Sequence, residues 1–321
     1  MNPGDITSNA LRAAYTQTKT LPSTVSSGYD IMGGHGTITL VGAGEDLLAR
    51  CWDVARGCEQ LWSRFISTSD ISRLNWAEGH PVEVSSLTKR LVAEMIAGKR
   101  LTGGAYDPTL LPDVLSAGYR ASRVNAEQVT TLPDSARAPG RLDQIDIGER
   151  SITLPVGTTL DPGGIGKGFT ADVLCEFALA EGALGVMVEL GGDIVMRGNA
   201  PDGVAWNVGI ENPHAAEGHL SIVRIKSGAI ATSSQLKRRF LLEGQETHHL
   251  IDAGSHLSAH SSAQTITVIA ATGARAEVLT KPGFVREPAD YLEWLPTVGA
   301  AGLIVLADGS TLSSPNWSNY A

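Results

Sequence analysis

The stretch that decides the fold reads Asp161-Pro162-Gly163-Gly164-Ile165-Gly166-Lys167-Gly168-Phe169-Thr170-Ala171-Asp172. Its glycines stand at the entry to a helix, which is predicted because Phe169, Val173 and Phe177 recur at helical spacing. Glycine leaves backbone N–H groups uncovered, and the N-terminal end of a helix carries a positive partial charge, so the stretch predicts a phosphate site. Lys167 adds a point charge suited to the same group. A purely structural turn between a strand and a helix explains the glycines equally well.

The common nucleotide signatures do not fit this stretch. A Walker loop needs Ser or Thr after its lysine, where this chain has Gly168, and the stretch contains no G-x-G-x-x-G. Outward from it, helical and strand patterns mix without a repeating βα unit, which favours an α+β fold over a doubly wound sheet. Helical patterns occur at residues 48–65, 85–103 and 169–177, and strand patterns at 37–41, 186–190, 206–210 and 266–269, with a hairpin at 145–154.

Composition narrows the functional class. The chain has 321 residues and a net charge of −9, with its basic residues dispersed, which argues against nucleic acid as a partner. No apolar run is long enough to span a membrane. Residues 1–27 are polar and lack the apolar core of a secretory signal, so we expect a flexible tail and a cytoplasmic protein. The three cysteines, Cys51, Cys58 and Cys175, are predicted to be buried core thiols.

Three further segments could carry chemistry. The glycine turn at 190–194 could lie flat against a ring, or be a plain hairpin turn with Asp193 as its Asx residue. His248 and His249 precede Asp252, but adjacent side chains on a strand point to opposite faces, so only one can enter a site. A histidine is the natural general base near neutral pH, although a lone histidine is more often structural. Glu277, predicted near a helix start, could be an oxygen ligand for a metal or an ordinary N-terminal acidic residue.

The order of these motifs resembles that of the FAD:protein FMN transferase (ApbE) family over residues 32–281. The family's Met-Gly-Thr is similar to residues 32–34, its Ser-Glu-x-Ser-x-Leu-Asn to 69–75, and its Gly-Gly-x-Phe-Asp-Pro-Thr to 103–109. Its Asp-Leu-Gly-Gly-Ile-Ala-Lys-Gly resembles the stretch beginning at Asp161, its Leu-Gly-Gly-Asp residues 190–193, and its His-Ile-Ile-Asp-Pro residues 249–253.

The resemblance implies a two-lobed fold of mixed sheet and helices that binds FAD between its lobes, with Mg²⁺ near the pyrophosphate. It implies transfer of FMN to a Ser or Thr of an acceptor flavoprotein, with release of AMP. By this analogy residues 28–281 form the FAD-binding domain, and residues 282–321 form a C-terminal extension that is packed on the domain or trails from it. The implied catalytic residues are His249 and Asp252. The implied cofactor-binding residues are Met32, Tyr106, Asp107, Gly164, Lys167, Asp172, Gly191, Gly192, Asp193 and Ser233, and the implied metal ligands are Gly166, Glu277 and Thr280.

The chain departs from the family where the chemistry is expected. The family's Asp-Pro-x-Thr-Gly is here residues 252–256, Asp-Ala-Gly-Ser-His, and its Thr-Ser-Gly is residues 232–234, Thr-Ser-Ser. Its Ala-Asp metal motif with a later Thr is here Ala276-Glu277, with Lys281 at the threonine spacing and Thr280 one place early. Lys281 either points inward, where an ammonium cannot coordinate Mg²⁺, or is solvated. Two other functions remain open at this point: hydrolysis of FAD to FMN and AMP, and FAD binding without catalysis.

Overall fold

A large antiparallel sheet organises the molecule. The computed structural model describes residues 21–122, 124–215, 218–236, 239–242, 245–248, 251–259 and 261–321. The strand order of the main sheet is β1-β2-β6-β7-β10-β13-β14-β15, and every neighbouring pair is antiparallel. The mixture of this sheet with helices confirms the predicted α+β class.

The strands are β1 Thr24–Ile31, β2 Gly34–Val41, β3 Val82–Glu83, β4 Asp146–Ile147, β5 Ser151–Thr153, β6 Gly185–Leu190, β7 Asp193–Gly198, β8 Trp206–Glu211, β9 His219–Ile225, β10 Gly228–Ser234, β11 Arg239–Leu242, β12 Gln245–His248, β13 Ala263–Ala270, β14 Ala301–Leu306 and β15 Thr311–Ser313. The helices are α1 Glu45–Trp62, α2 Asp70–Asn75, α3 Ser86–Leu101, α4 Leu111–Ser116, α5 Gly166–Ala180, α6 Gly273–Leu279 and α7 Pro288–Trp294.

The two faces of the sheet bury different layers, because successive side chains of a strand point to opposite faces. On β10, for example, Ala229 and Ala231 belong to the main core together with the buried faces of α1, α3, α5 and α6. Ile230, between them, belongs to a smaller core that the β8–β9 hairpin covers with Trp206 and Val208. The helical layer and the hairpin therefore lie on opposite sides of the sheet.

Several turns and strand ends meet at one edge of this sheet. The turn between β1 and β2 lies beside the turn between β6 and β7, since Gly36 pairs with Leu190. The C-terminal end of β10 lies at the same edge, since Ile194 pairs with Ile230. Antiparallel pairing thus brings together segments that are far apart in sequence.

The predicted ends of the domain differ from those observed. Strand β1 begins at Thr24, inside the predicted tail of residues 1–27, and pairs along its whole length with β2. Residues 282–321 are not an extension, because they supply β14 and β15 of the main sheet, and β14 is hydrogen-bonded on both sides. A domain that ended at residue 281 would leave one side of β13 without a hydrogen-bonded partner strand.

The local elements otherwise follow the predicted patterns, with one correction. Ser85 caps α3, its hydroxyl accepting from the Thr88 N–H at 3.0 Å. Helix α6, by contrast, begins earlier than expected, because the Thr272 side chain caps it by accepting from the Arg275 N–H at 3.2 Å. Glu277 therefore lies in the last turn of α6 and is not an N-terminal acidic residue.

The three cysteines are buried and unpaired by disulfide bonds, as predicted. Burial raises the pKa of the Cys51 thiol to about 11 and that of Cys58 to about 12, so both are neutral near pH 7. Among the helices of the described residues, none combines the length and apolar character that a membrane span needs.

Helices α5 and α6 cross at a contact that admits only glycine. A Cβ on Gly168 would overlap the backbone carbonyl of Gly273. We therefore expect Gly168→Ala to lower the free energy of unfolding by about 1–3 kcal/mol, the usual effect of overpacking. Gly166→Ala is the matched control, since its Cβ would meet only Pro162 Cβ, at 3.4 Å. Denaturant unfolding measures both, and equal stability of the two variants would contradict the close crossing.

Candidate functional site

A cleft of about 440 Å³ opens beside the β1–β2 turn. Its volume lies in the range of small-molecule and cofactor sites. Its walls come from the β1–β2 turn, the C-terminal end of α1, and the loops at residues 105–110, 161–167 and 281–285. Its aromatic lining residues are Trp62, Phe65, Tyr106, Tyr119 and Phe284. A cleft with ring-sized apolar walls and a glycine loop can hold an aromatic group joined to a phosphate.

The glycine loop is held in shape by carboxylates. Asp161 caps the single turn of 3₁₀ helix at 162–164, accepting from the Gly163 N–H at 2.9 Å. At the start of α5 the Gly168 N–H donates to Glu277 Oε2 at 2.9 Å. These two N–H groups, which we expected to be uncovered, therefore have protein partners. Asp161 also lies near Arg64, Oδ1 to Nε 3.6 Å, and the cleft wall includes both residues.

Lys167 stands between two buried carboxylates. Its ammonium contacts Asp193 Oδ2 and lies 3.0 Å from Glu277 Oε1. Burial raises the pKa of Asp193, the Lys167 charge opposes that effect, and the Glu277 charge adds to it. Asp193, the first residue of β7, is thus an ion-pair partner of Lys167. The interpretation of the Asp193 side chain as an Asx turn residue is wrong.

The second glycine turn joins β6 to β7, which confirms the predicted hairpin. Gly191 and Gly192 have φ angles of +61° and +96°, a left-handed conformation that glycine adopts without strain. Neither lines the cleft, but a Cβ on Gly191 would lie 3.4 Å from Lys167 Cδ. The turn therefore packs against the stem of Lys167, and a direct contact of the turn with a flavin stays a prediction.

Met32 and Tyr106, two of the implied cofactor-binding residues, form part of the cleft wall, and their contact with a cofactor stays a prediction. Met32 has a φ of +51°, and its N–H donates to Glu59 Oε1 at 2.7 Å, which fixes the β1–β2 turn against α1. The Tyr106 ring packs on Gly164, whose Cβ would lie 3.1 Å from Tyr106 Cε2. Among the described residues the buried Tyr106 hydroxyl has no hydrogen-bond partner. A group bound in the cleft could supply one.

Asp107 and Asp172 have structural partners. Asp107 lines the cleft, but its carboxylate accepts from the Thr109 N–H at 2.9 Å and pairs with Lys99 at 2.5 Å. Asp172 does not line the cleft, which corrects its assignment to the phosphate loop. Its carboxylate accepts from the N–H groups of Gly273 and Ala274, at 2.9 and 3.0 Å, and so caps α6 from α5. Burial raises the pKa of Asp172 to about 6, although these two hydrogen bonds lower it.

The oxygen atoms of the predicted metal ligands Gly166, Glu277 and Thr280 all have hydrogen-bond partners within the protein. Both Glu277 oxygens accept from donors of α5, as described above. The Gly166 carbonyl accepts from Thr170 Oγ1 at 2.7 Å. Thr280 Oγ1 donates to the Glu277 carbonyl at 2.7 Å and bonds to Ser233 Oγ at 2.7 Å. Over the described residues, no three His, Cys, Asp or Glu side chains cluster as a metal site.

The position of the Lys281 ammonium determines whether a metal ion fits beside Thr280. Its ammonium donates to Ser233 Oγ at 2.9 Å and Thr280 Oγ1 at 3.1 Å, and it lies 3.3 Å from the Glu277 carbonyl. The side chain therefore points inward, which resolves the two orientations that the sequence left open. A divalent cation bound through Thr280 would meet this like charge at close range. The side chains as placed here do not fit Mg²⁺.

The segment with the predicted catalytic base is described only in part. His249 lies outside the described residues. Asp252 is described, and its carboxylate accepts from the Gly254 N–H and from Ser255 Oγ, both at 2.9 Å, within its own turn. His256, with a φ of +61°, bonds through Nδ1 to Asp113 Oδ2 of α4 at 2.7 Å. This pair, which the sequence did not predict, ties the turn to α4.

Arg64 and Glu59 are cleft residues that the site prediction omitted. Arg64 is buried, with its guanidinium over the rings of Phe65 and Tyr119, 4.2 and 4.7 Å from their centroids. The only signal in the sequence was the Trp62–Phe65 aromatic cluster around Arg64 at the end of a helical pattern. The cation–π contacts of the guanidinium with these two rings stabilise this part of the cleft wall.

The comparisons with known proteins agree on one family. The sequence model of the ApbE family matches residues 32–304. The FAD:protein FMN transferase of Vibrio cholerae is 28% identical over 211 residues, which are 64% of this chain and 63% of that protein. The match thus spans less than two thirds of that relative. The FAD:protein FMN transferase of Escherichia coli K12 is 25% identical over 277 residues, 82% of this chain and 78% of that protein.

Solved structures show the same fold. An ApbE protein from Thermotoga maritima superimposes with a TM-score of 0.79 at 23% identity, covering 93% of this chain and 99% of that one. The flavin transferase ApbE from Vibrio cholerae gives a TM-score of 0.76 at 21% identity, covering 94% of this chain and 100% of that one. At these identities the likeness establishes the architecture of the sheet and helices.

Proposed function

The chain belongs to the ApbE family, and from this we propose that it transfers FMN from FAD to a Ser or Thr hydroxyl of an acceptor flavoprotein, releasing AMP. The observation that carries the proposal is the cleft with Lys167 and Lys281 beside the glycine loop. Two ammonium groups at one end of an apolar cleft suit a dinucleotide, whose rings need apolar walls and whose pyrophosphate needs positive charge.

The proposed binding mode uses both parts of the cleft. The pyrophosphate lies along the glycine loop near Gly164, and the aromatic rings lie between the β1–β2 turn and the aromatic wall. Met32 and Tyr106 border a ring, and the Tyr106 hydroxyl has room for a partner from the ligand. Gly191, Asp193 and Ser233 act indirectly, by holding Lys167 and Lys281 in place, and Gly192 completes the turn that carries Gly191.

The proposed reaction is a single displacement at phosphorus. The acceptor hydroxyl oxygen forms a bond to the phosphorus of the FMN half, and the bond from that phosphorus to the bridging oxygen breaks. AMP leaves with the bridging oxygen, and the hydroxyl proton passes to a base, for which His249 is the candidate. Phosphoryl transfer depends mostly on positioning and charge neutralisation, which Lys167 and Lys281 provide. Asp252 shapes the turn that follows His249.

Two alternatives remain within the same cleft. Water could replace the acceptor hydroxyl, which would make the chain an FAD hydrolase, or the chain could bind FAD without cleaving it. Incubation with FAD, with and without a candidate acceptor, separates the three functions. AMP that forms only with the acceptor supports transfer, AMP without an acceptor supports hydrolysis, and a stable yellow complex without AMP supports binding alone.

We expect FAD to bind at least about tenfold more tightly than riboflavin, because riboflavin lacks the pyrophosphate that meets Lys167 and Lys281. One charge-assisted hydrogen bond has an effect of this size. Calorimetric titration of the same protein sample with each ligand measures the difference. Equal affinities would place the pyrophosphate away from the glycine loop and contradict the proposed binding mode.

A further inference from the structure

Three oxygen atoms of the protein lie within hydrogen-bond distance of the Lys281 ammonium. Ser233 Oγ, Thr280 Oγ1 and the Glu277 carbonyl lie 2.9, 3.1 and 3.3 Å from Nζ. An ammonium has three hydrogens to donate and no lone pair. These contacts come from the end of β10 and the last turn of α6, so two elements of the core define the position of the charge.

The aliphatic stem of Lys281 also has close neighbours. The position that a Cβ on Gly164 would take lies 3.4 Å from Lys281 Cε and 3.1 Å from Tyr106 Cε2. The stem thus passes close to the backbone of the glycine loop, and the missing side chain of Gly164 makes room for it. Lys281 also lines the cleft. The ammonium is therefore fixed next to the loop on which we place the pyrophosphate.

The neighbouring carboxylates already have donors from the protein itself. Glu277 is paired with the Lys167 ammonium and the Gly168 N–H, and Asp193 is paired with Lys167. A divalent cation at Thr280 would have to displace these partners and also lie against Lys281. Charge repulsion at such distances is large wherever water is excluded.

We propose that Lys281 is a built-in counter-ion that takes the place of a divalent cation, so that this chain binds the pyrophosphate of FAD without Mg²⁺. The proposal rests on the proposed function for the identity of the ligand. It differs from the metal-dependent arrangement implied by the sequence resemblance, because a lysine occupies the place of the expected threonine ligand. The charge of Lys281 replaces part of the charge of a metal ion but not its octahedral geometry.

Calorimetry of FAD binding tests the proposal. For the wild-type protein we expect the Kd in EDTA and in excess Mg²⁺ to agree within about threefold, which is less than the effect of one charge-assisted hydrogen bond. Lys281→Thr should weaken binding in EDTA by about tenfold or more and regain affinity when Mg²⁺ is added, since threonine offers an oxygen ligand. Lys281→Met is the matched control. It removes the charge and supplies no oxygen, so it should weaken binding in EDTA without regaining affinity in Mg²⁺.

A direct metal titration needs neither FAD nor a variant. Mn²⁺ added to the wild-type protein, followed by its electron paramagnetic resonance signal, should remain unbound at this cleft, whereas Lys281→Thr should bind it. Wild-type FAD binding that collapses on chelation, or stoichiometric Mn²⁺ binding that Lys281→Met alters, would overturn the counter-ion proposal and leave the proposed transfer intact. Absence of FAD binding in both EDTA and Mg²⁺ would instead reject the proposed function, and the Mn²⁺ titration would still decide whether Lys281 excludes a metal.

Discussion

Replacement of Lys167 by methionine is expected to lower the free energy of unfolding by about 3–5 kcal/mol at pH 7, as removal of one member of a buried ion pair does. The ammonium contacts Asp193 and Glu277, whose side chains are only 6% and 3% exposed. Methionine keeps most of the apolar stem, so the loss reflects two buried carboxylates left without their cation. Denaturant unfolding measures it.

The pH dependence separates this cause from a packing defect. Burial already raises the pKa of Asp193, and loss of the Lys167 charge raises it further. The folded variant then binds protons that the unfolded chain has released, so its stability falls as the pH rises from the unfolded to the raised folded pKa. We expect the loss in Lys167→Met to be smaller at pH 5 than at pH 7.

Two variants control this measurement. Arg50→Met removes a cation from an exposed pair with Glu181 and should change stability by about 1 kcal/mol or less. Adding Asp193→Asn to Lys167→Met removes one uncompensated charge and should recover part of the loss. A Lys167→Met protein as stable as Arg50→Met would show that the buried charges are not coupled as the structure places them.

Replacement of His249 by alanine is expected to lower AMP release about 10²- to 10⁴-fold, the usual contribution of a positioned general base. FAD binding should be nearly unchanged, because the proposed charge contacts come from Lys167 and Lys281. Single-turnover formation of AMP in the presence of acceptor measures the step, and calorimetry measures the binding.

His248→Ala is the matched control for His249→Ala. The sequence predicts that the two histidines lie on a strand and point to its opposite faces, so we expect only one of them to reach the cleft. We expect His248→Ala to turn over within about threefold of the wild-type rate, a change well under 1 kcal/mol in the barrier. If His248→Ala lost activity and His249→Ala did not, the base would be the other histidine. If neither lost activity, the reaction would not depend on a histidine of this segment.

The sequence by itself determined the α+β class and the order of the elements, because hydrophobic periodicity and capping residues act locally. The helix that begins at Gly166, the hairpin at Gly191 and Gly192, and the buried thiols were all predicted from short windows. The ordered motifs also indicated the family, which the match to residues 32–304 establishes. Arg64 was missed because burial of a charged residue depends on partners distant in sequence.

Only the tertiary structure decided how the charges are paired. Lys167 lies 26 residues from Asp193 and 110 residues from Glu277, and no local pattern predicts which of these groups will meet. The same holds for Asp172, whose carboxylate caps α6 by accepting from the Gly273 N–H, 101 residues away in sequence. Lys281 follows α6 in a 3₁₀ turn that begins after Leu279, and its ammonium donates to Ser233 of β10, 48 residues away in sequence. A partner on another element of the fold thus accompanies the inward orientation of Lys281, and the local sequence does not reveal that partner.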